Sequence, residues 1–144
     1  MKKVIFTIIL FLSCLITLAG CNKKEQYNES NYEITTIENV SIDIYDISLT
    51  GATLIIKDMN KEPYVYGEWY VLQKEENGKW YNLETIIDDY GFNEMGYLVD
   101  ENNEVKFIIN WEWLYGKLPQ GCYRILKEVD HRYIAVDFCI ATTS

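Results

Sequence analysis

Residues 122–141, CYRILKEVDHRYIAVDFCIA, decide the fold, because they can be registered against themselves. With Asp130-His131 at the tip of a hairpin, Tyr123 lies opposite Phe138 and Ile125 opposite Val136, which makes one apolar face. On the other face Arg124 meets Asp137 and Cys122 meets Cys139. Core aromatics, complementary charge and paired thiols all select the same register, and agreement across levels is what a real pairing produces. Directly opposed residues of antiparallel strands sit about 4.5–5.5 Å apart at Cα, within reach of a disulfide. The reading favours a Cys122–Cys139 bridge, with two free thiols as the alternative.

Outward from that hairpin, the chain from Tyr32 continues as short alternating or β-branched and aromatic runs separated by turn residues. Val40 to Ile44 alternates, Ala52 to Lys57 is a second strand after Thr50-Gly51, and Tyr64 to Lys74 reads as one long third strand beyond Pro63. Asn77-Gly78 is a hairpin signal, with Lys79 to Leu83 returning. A two-residue turn pairs Glu76 with Lys79, whereas a three-residue turn with a bulge pairs Glu75 with Lys79, and the two put Trp80 on opposite faces. Thr85 to Asn103 is acidic and weakly patterned, with one short strand expected around Gly96 to Val99. Glu104 to Asn110 is a strand, and Trp111 to Gly116 an irregular or 3₁₀ turn. Seven to eight short strands predict an all-β sandwich.

The whole chain has 144 residues, 13 basic and 22 acidic side chains and a formal charge of −9, enough for one domain. That balance argues against nucleic acid as a partner, since binding it depends on neutralising phosphates. The amino end has a different composition. Lys2-Lys3 precedes an apolar run from Val4 to Leu18, too short to span a bilayer as a helix but suited to a secretory signal. Leu18-Ala19-Gly20-Cys21 resembles the bacterial lipoprotein signal motif. By that resemblance residues 1–20 are removed, and Cys21 becomes a lipid-bearing amino terminus on the extracytoplasmic face of the cell membrane. Two acyl chains then give firm retention. Residues 21–31 are polar and read as a tether, and residues 32–144 as the folded domain. Cys14 leaves with the signal, so Cys122 and Cys139 are the only thiols left to pair.

Two stretches resemble a bacterial immunoglobulin-like domain family of secreted lipoproteins. One runs from Trp111 to Glu128 (WEWLYGKLPQGCYRILKE) and matches roughly W…LYG-L-x-x-G-x-YR-x-x-K, through Trp111, Tyr115, Gly116, Gly121, Tyr123, Arg124 and Lys127. The other is the hairpin YVYGEWYVLQKEENGKWYNL, Tyr64 to Leu83. The resemblance covers about Ser41 to Ile140 and implies an all-β, immunoglobulin-like sandwich of Greek-key type. Cys122 departs from the long polar residue usual there, and Cys139 from a small or β-branched one, which would make the bridge private to this chain. Leu118-Pro119-x-Gly121-x-Tyr123 also resembles a tyrosine corner, which implies that the Tyr123 hydroxyl bonds back to upstream backbone.

Enzymatic parts are scarce. His131, the sole imidazole, falls at a turn, away from both paired cysteines. Zinc-ligand spacing, a phosphate loop and a dinucleotide fingerprint are missing, so no cofactor, metal or catalytic residue is assigned. Asp88-Asp89 and the acidic run from Asp100 to Glu104 are the material for a hydrolytic or calcium alternative, without EF-hand spacing. Four Trp and twelve Tyr exceed what a small core needs. Tyr64, Tyr66, Trp69 and Trp113 are therefore candidate ligand contacts, while Trp111 and Tyr115 belong to the family motif and read as packing. The expected role is a non-enzymatic interaction or accessory module, tied to the membrane by its lipid and meeting an envelope protein or glycan. The alternatives are a carbohydrate- or peptidoglycan-binding module and a small hydrolase or hydrolase inhibitor.

Overall fold

Alternation places every second side chain of a strand on the same face, and the structure closes those faces on each other. The computed structural model describes residues 28–141. The expected signal, Cys21 and the first part of the tether lie outside the described residues. The elements in chain order are β1 (Asn28–Glu29), β2 (Val40–Tyr45), β3 (Gly51–Asp58), β4 (Tyr66–Gly67), β5 (Val71–Glu76), β6 (Lys79–Asn82), β7 (Gly96–Tyr97), β8 (Glu104–Asn110), the one-turn helix α1 (Glu112–Tyr115), β9 (Gly121–Val129) and β10 (Arg132–Ile140). A five-stranded sheet runs β1-β6-β5-β9-β10, a three-stranded sheet runs β2-β3-β8, and β4 pairs with β7 as a separate ribbon. Every strand pair is antiparallel. Leu54, Ile56, Val105, Phe107 and Ile109 from the smaller sheet meet Leu72, Tyr123, Ile125, Val129 and Phe138 from the larger, in one buried core. The result is an immunoglobulin-like β-sandwich.

The closing hairpin has the register its side chains select, with Tyr123 opposite Phe138, Arg124 opposite Asp137 and Cys122 opposite Cys139. Asp130 (φ 49°) and His131 (φ 58°) both take left-handed backbone, the turn whose twist matches its flanking strands. Asn77 (φ 55°) and Gly78 (φ 78°) form a second turn of this kind, and Glu76 pairs with Lys79. That settles the choice left open by the sequence. Trp80 then lies under the Arg124 guanidinium, 4.5 Å from ring centroid to Cζ. On the hairpin's exposed outer face a disulfide joins Cys122 to Cys139 across 17 positions of sequence.

Residues 111–123 lock one end of the sandwich. The Tyr123 hydroxyl donates to Pro119 O at 2.8 Å, and its ring stacks on Phe138. Trp111, also stacked on Phe138, donates its indole N–H to Leu49 O at 3.0 Å. The segment expected to be an irregular or 3₁₀ turn is one turn of α-helix, ended by Gly116, whose φ of 73° suits a residue without Cβ.

Two further expectations change. Tyr64 to Lys74 is not one strand, since β4 and β5 join different partners and residues 68–70 turn between them. The cause is polar capture. The fully buried Asp58 carboxylate accepts from Tyr64 N–H and the Tyr66 hydroxyl, each at 2.8 Å, and from the backbone and side chain of Asn60. Burial alone would raise this acid, but those hydrogen bonds outweigh it and hold its pKa below the ordinary carboxylate range. At the amino end, Asn28 and Glu29 pair with Asn82 and Tyr81 of β6, so ordered sheet begins inside the stretch assigned to the tether.

Two stability outcomes follow from these contacts. Tyr123→Phe keeps the ring packing but loses the bond to Pro119, a cost of about 1–2 kcal/mol, read as a Tm lower by several degrees. Reduction of the disulfide costs about 3 kcal/mol or less and leaves the sheet signal in circular dichroism unchanged, because packing on the opposite face sets the register.

Candidate functional site

Among the described residues strand β8 is paired on one side only. Its partner is β3, and the Trp111 N–H donates to Thr50 O just as Asp58 N–H donates to Asn103 O at the other end. Antiparallel pairing therefore aims the backbone of Val105, Phe107 and Ile109 at β3, and that of the even-numbered residues the opposite way. Glu104 is covered by hydrogen bonds with Asp100, and Asn110 O accepts from the Tyr70 hydroxyl at 3.3 Å. Between these ends, Lys106 and Ile108 face an open cleft of about 350 Å³. A second cleft of about 500 Å³ adjoins it through Glu68 and Phe92.

Aromatic rings form the wall opposite the strand. Tyr70, nearly buried, meets Phe92 edge-on at 5.1 Å between centroids. Phe92, Tyr90 and Trp113 touch each other at 6.0–6.3 Å, with planes inclined by 74–90°. Tyr90 and Trp113 each keep about two-fifths of their surface open, at 42% and 41%. Exposed apolar side chains line the same clefts, Ile108 in the first and Met95 in the second. Exposed apolar and aromatic side chains gathered along a cleft mark a contact surface more often than isolated ones do.

The four aromatic residues expected to contact a ligand do not share one site. Trp113 lines the first cleft and Trp69 the second, although the Trp69 ring also packs against Tyr32 and Tyr133. Tyr66 is a correction: it is fully buried, its hydroxyl spent on Asp58, and burial together with that carboxylate raises its pKa. Tyr64 lies elsewhere, half-buried beneath the Arg132 guanidinium. Trp111 is buried and Tyr115 half-buried against the core, with burial pushing the Tyr115 phenol up to about 12. Asp88 and Asp89 are exposed, and His131 sits at its turn with Nδ1 3.6 Å from Glu128. Among the described residues no group of three His, Cys, Asp or Glu could hold a metal ion, and no helix is long and apolar enough to cross a membrane. The sequence reading missed Tyr70, Tyr90 and Phe92. The available signal was Tyr90-Gly91-Phe92 inside an acidic loop, together with Ile108 interrupting the alternation of β8.

Beneath the clefts lies Lys127, the last residue of the Trp111–Lys127 motif, with no exposed surface. Its ammonium donates to Gly67 O and rests 4.2 Å from the centroid of Phe107. Burial lowers its pKa to about 7, against the opposing influence of Glu68. Because the unfolded chain binds this proton more tightly than the folded one, stability should rise with pH from about 7 toward the ordinary lysine range. Lys127→Met should flatten that rise in Tm measured between pH 7 and pH 9.5, a window that stays below the raised tyrosines.

No curated protein and no solved structure matches the chain. The family profile described as bacterial Ig-like domain matches residues 28–139, from the first strand to one residue short of the end of the last. With that span and this sheet order, the chain belongs to the bacterial Ig-like domain family.

Proposed function

We propose that this chain is a non-enzymatic interaction module held at the extracytoplasmic face of the cell envelope by lipid on Cys21, and that it grips a protein partner at the β8 cleft. The observation that carries the reading is the half-open Tyr90–Phe92–Trp113 wall beside an unpaired strand edge. Aromatic side chains offer large contact area at low entropic cost and dominate many protein interfaces. The three rings meet edge to face, so they present no single flat platform of the kind on which a sugar ring stacks, and this favours protein over glycan. Support for the anchor is the Lys2-Lys3 start, the apolar run to Leu18 and Leu18-Ala19-Gly20-Cys21.

Crosslinking on intact cells tests this, with a photoreactive residue in place of Trp113. Covalent adducts to an envelope protein are expected, and metabolic labelling with an alkynyl fatty acid should tag the chain but not its Cys21→Ser variant. Adducts to glycan alone, or absence of the fatty-acid label from the unaltered chain, would overturn the corresponding half of the proposal.

A further inference from the structure

Among the described residues the smaller sheet is one strand short. In immunoglobulin sandwiches of the constant type the two sheets hold four and three strands, and a further strand lies beyond the partner of the central one. Here β2, β3 and β8 make up three of the four, and among the described residues no strand takes the position beyond β8. The connection from β6 to β8 would supply that strand, but its only strand, β7, pairs with β4 instead. The N–H and C=O groups of Lys106 and Ile108 therefore face the cleft rather than a neighbouring strand. Proteins usually blunt such an edge with charge, proline or a covering segment. At its centre β8 instead carries Ile108, 81% exposed.

Charge identifies the occupant. From Glu84 to Glu104 the chain has seven acidic residues and no Lys or Arg. Glu68 and Glu94 line the clefts, where Lys106 is the one cationic side chain among the lining residues. A second copy of this chain would bring an equally acidic rim against this one, so self-pairing is disfavoured. Resting on the interaction role proposed above, we infer that the free edge of β8 takes an extended, cationic peptide segment of a partner protein as an added strand. Its backbone completes the hydrogen bonds of Lys106 and Ile108, its alternate apolar side chains lie on the Phe92–Trp113 wall, and its basic residues face Glu68 and Glu94.

The test uses the full chain and a blocked peptide of four Lys-Val repeats. Binding is expected to slow amide exchange at Lys106 and Ile108 and to weaken with added salt. A Glu-Val peptide of the same length should not bind. Ile108→Pro removes a donor at the free edge while sparing the ladder to β3, and should weaken binding about tenfold. Ile108→Lys, a surface change that leaves folding intact, should weaken it too by repelling the peptide. Equal binding to both variants, equal binding of the acidic peptide, or protection of these two amides by self-association without peptide would each overturn the inference. Photocrosslinks from position 113 to an envelope protein, without peptide-dependent protection of β8, would remove the added strand and leave the interaction role standing.

Discussion

A single buried carboxylate sets the path of this chain between its sheets. Asp58 ends β3 and is fully buried, a position that would be costly for an unpartnered charge. Four hydrogen bonds from Asn60, Tyr64 and Tyr66 satisfy it, and all of them come from the segment that follows. The chain leaving the three-stranded sheet is thereby drawn into β4. Gly67 O then lies where Lys127 can reach it, and Glu68 where the Tyr97 hydroxyl donates at 2.6 Å. The clefts beside β8 share Glu68, so the crossing determines their shape as well as the connection between layers.

What the sequence revealed follows from how local each constraint is. The β9–β10 hairpin was legible because its register depends on nearby residues, Tyr123 with Phe138 and Arg124 with Asp137. The Tyr123 corner was legible for a similar reason, since its acceptor lies four residues upstream. The division of Tyr64 to Lys74 was not. It depends on Asp58, on Lys127 from a distant strand and on a partner strand, β7, only two residues long. The candidate site was the least legible part. Its wall combines Tyr70, Tyr90, Phe92 and Trp113 from three separate stretches, and its other side is backbone that carries no sequence signal.

Two cations show how position alters the work of a charge. Arg124 lies on the sheet's outer face, over Trp80 and bonded to Gln73, and burial lowers its pKa although Asp137 opposes the shift. Lys127, three positions on, points into the core, with a carbonyl and an aromatic face in place of water. Alternation alone separates their environments. A motif that ends in lysine thus contains a core residue, and its hydrophobic stem packs as an apolar side chain would.

The manner in which the amino end joins the sheet bears on mechanical load. A pull arriving at Asn28 meets first the two-residue ladder of β1 on β6 at the rim of the larger sheet, which can open one rung at a time. Behind it, Ile34 bridges Tyr133 in parallel, with Thr35 N–H on Tyr133 O, so the same pull would have to slide that contact lengthwise along β10. Pulled from its amino end, the chain would therefore part from β6 rung by rung before the parallel contact on β10 is loaded.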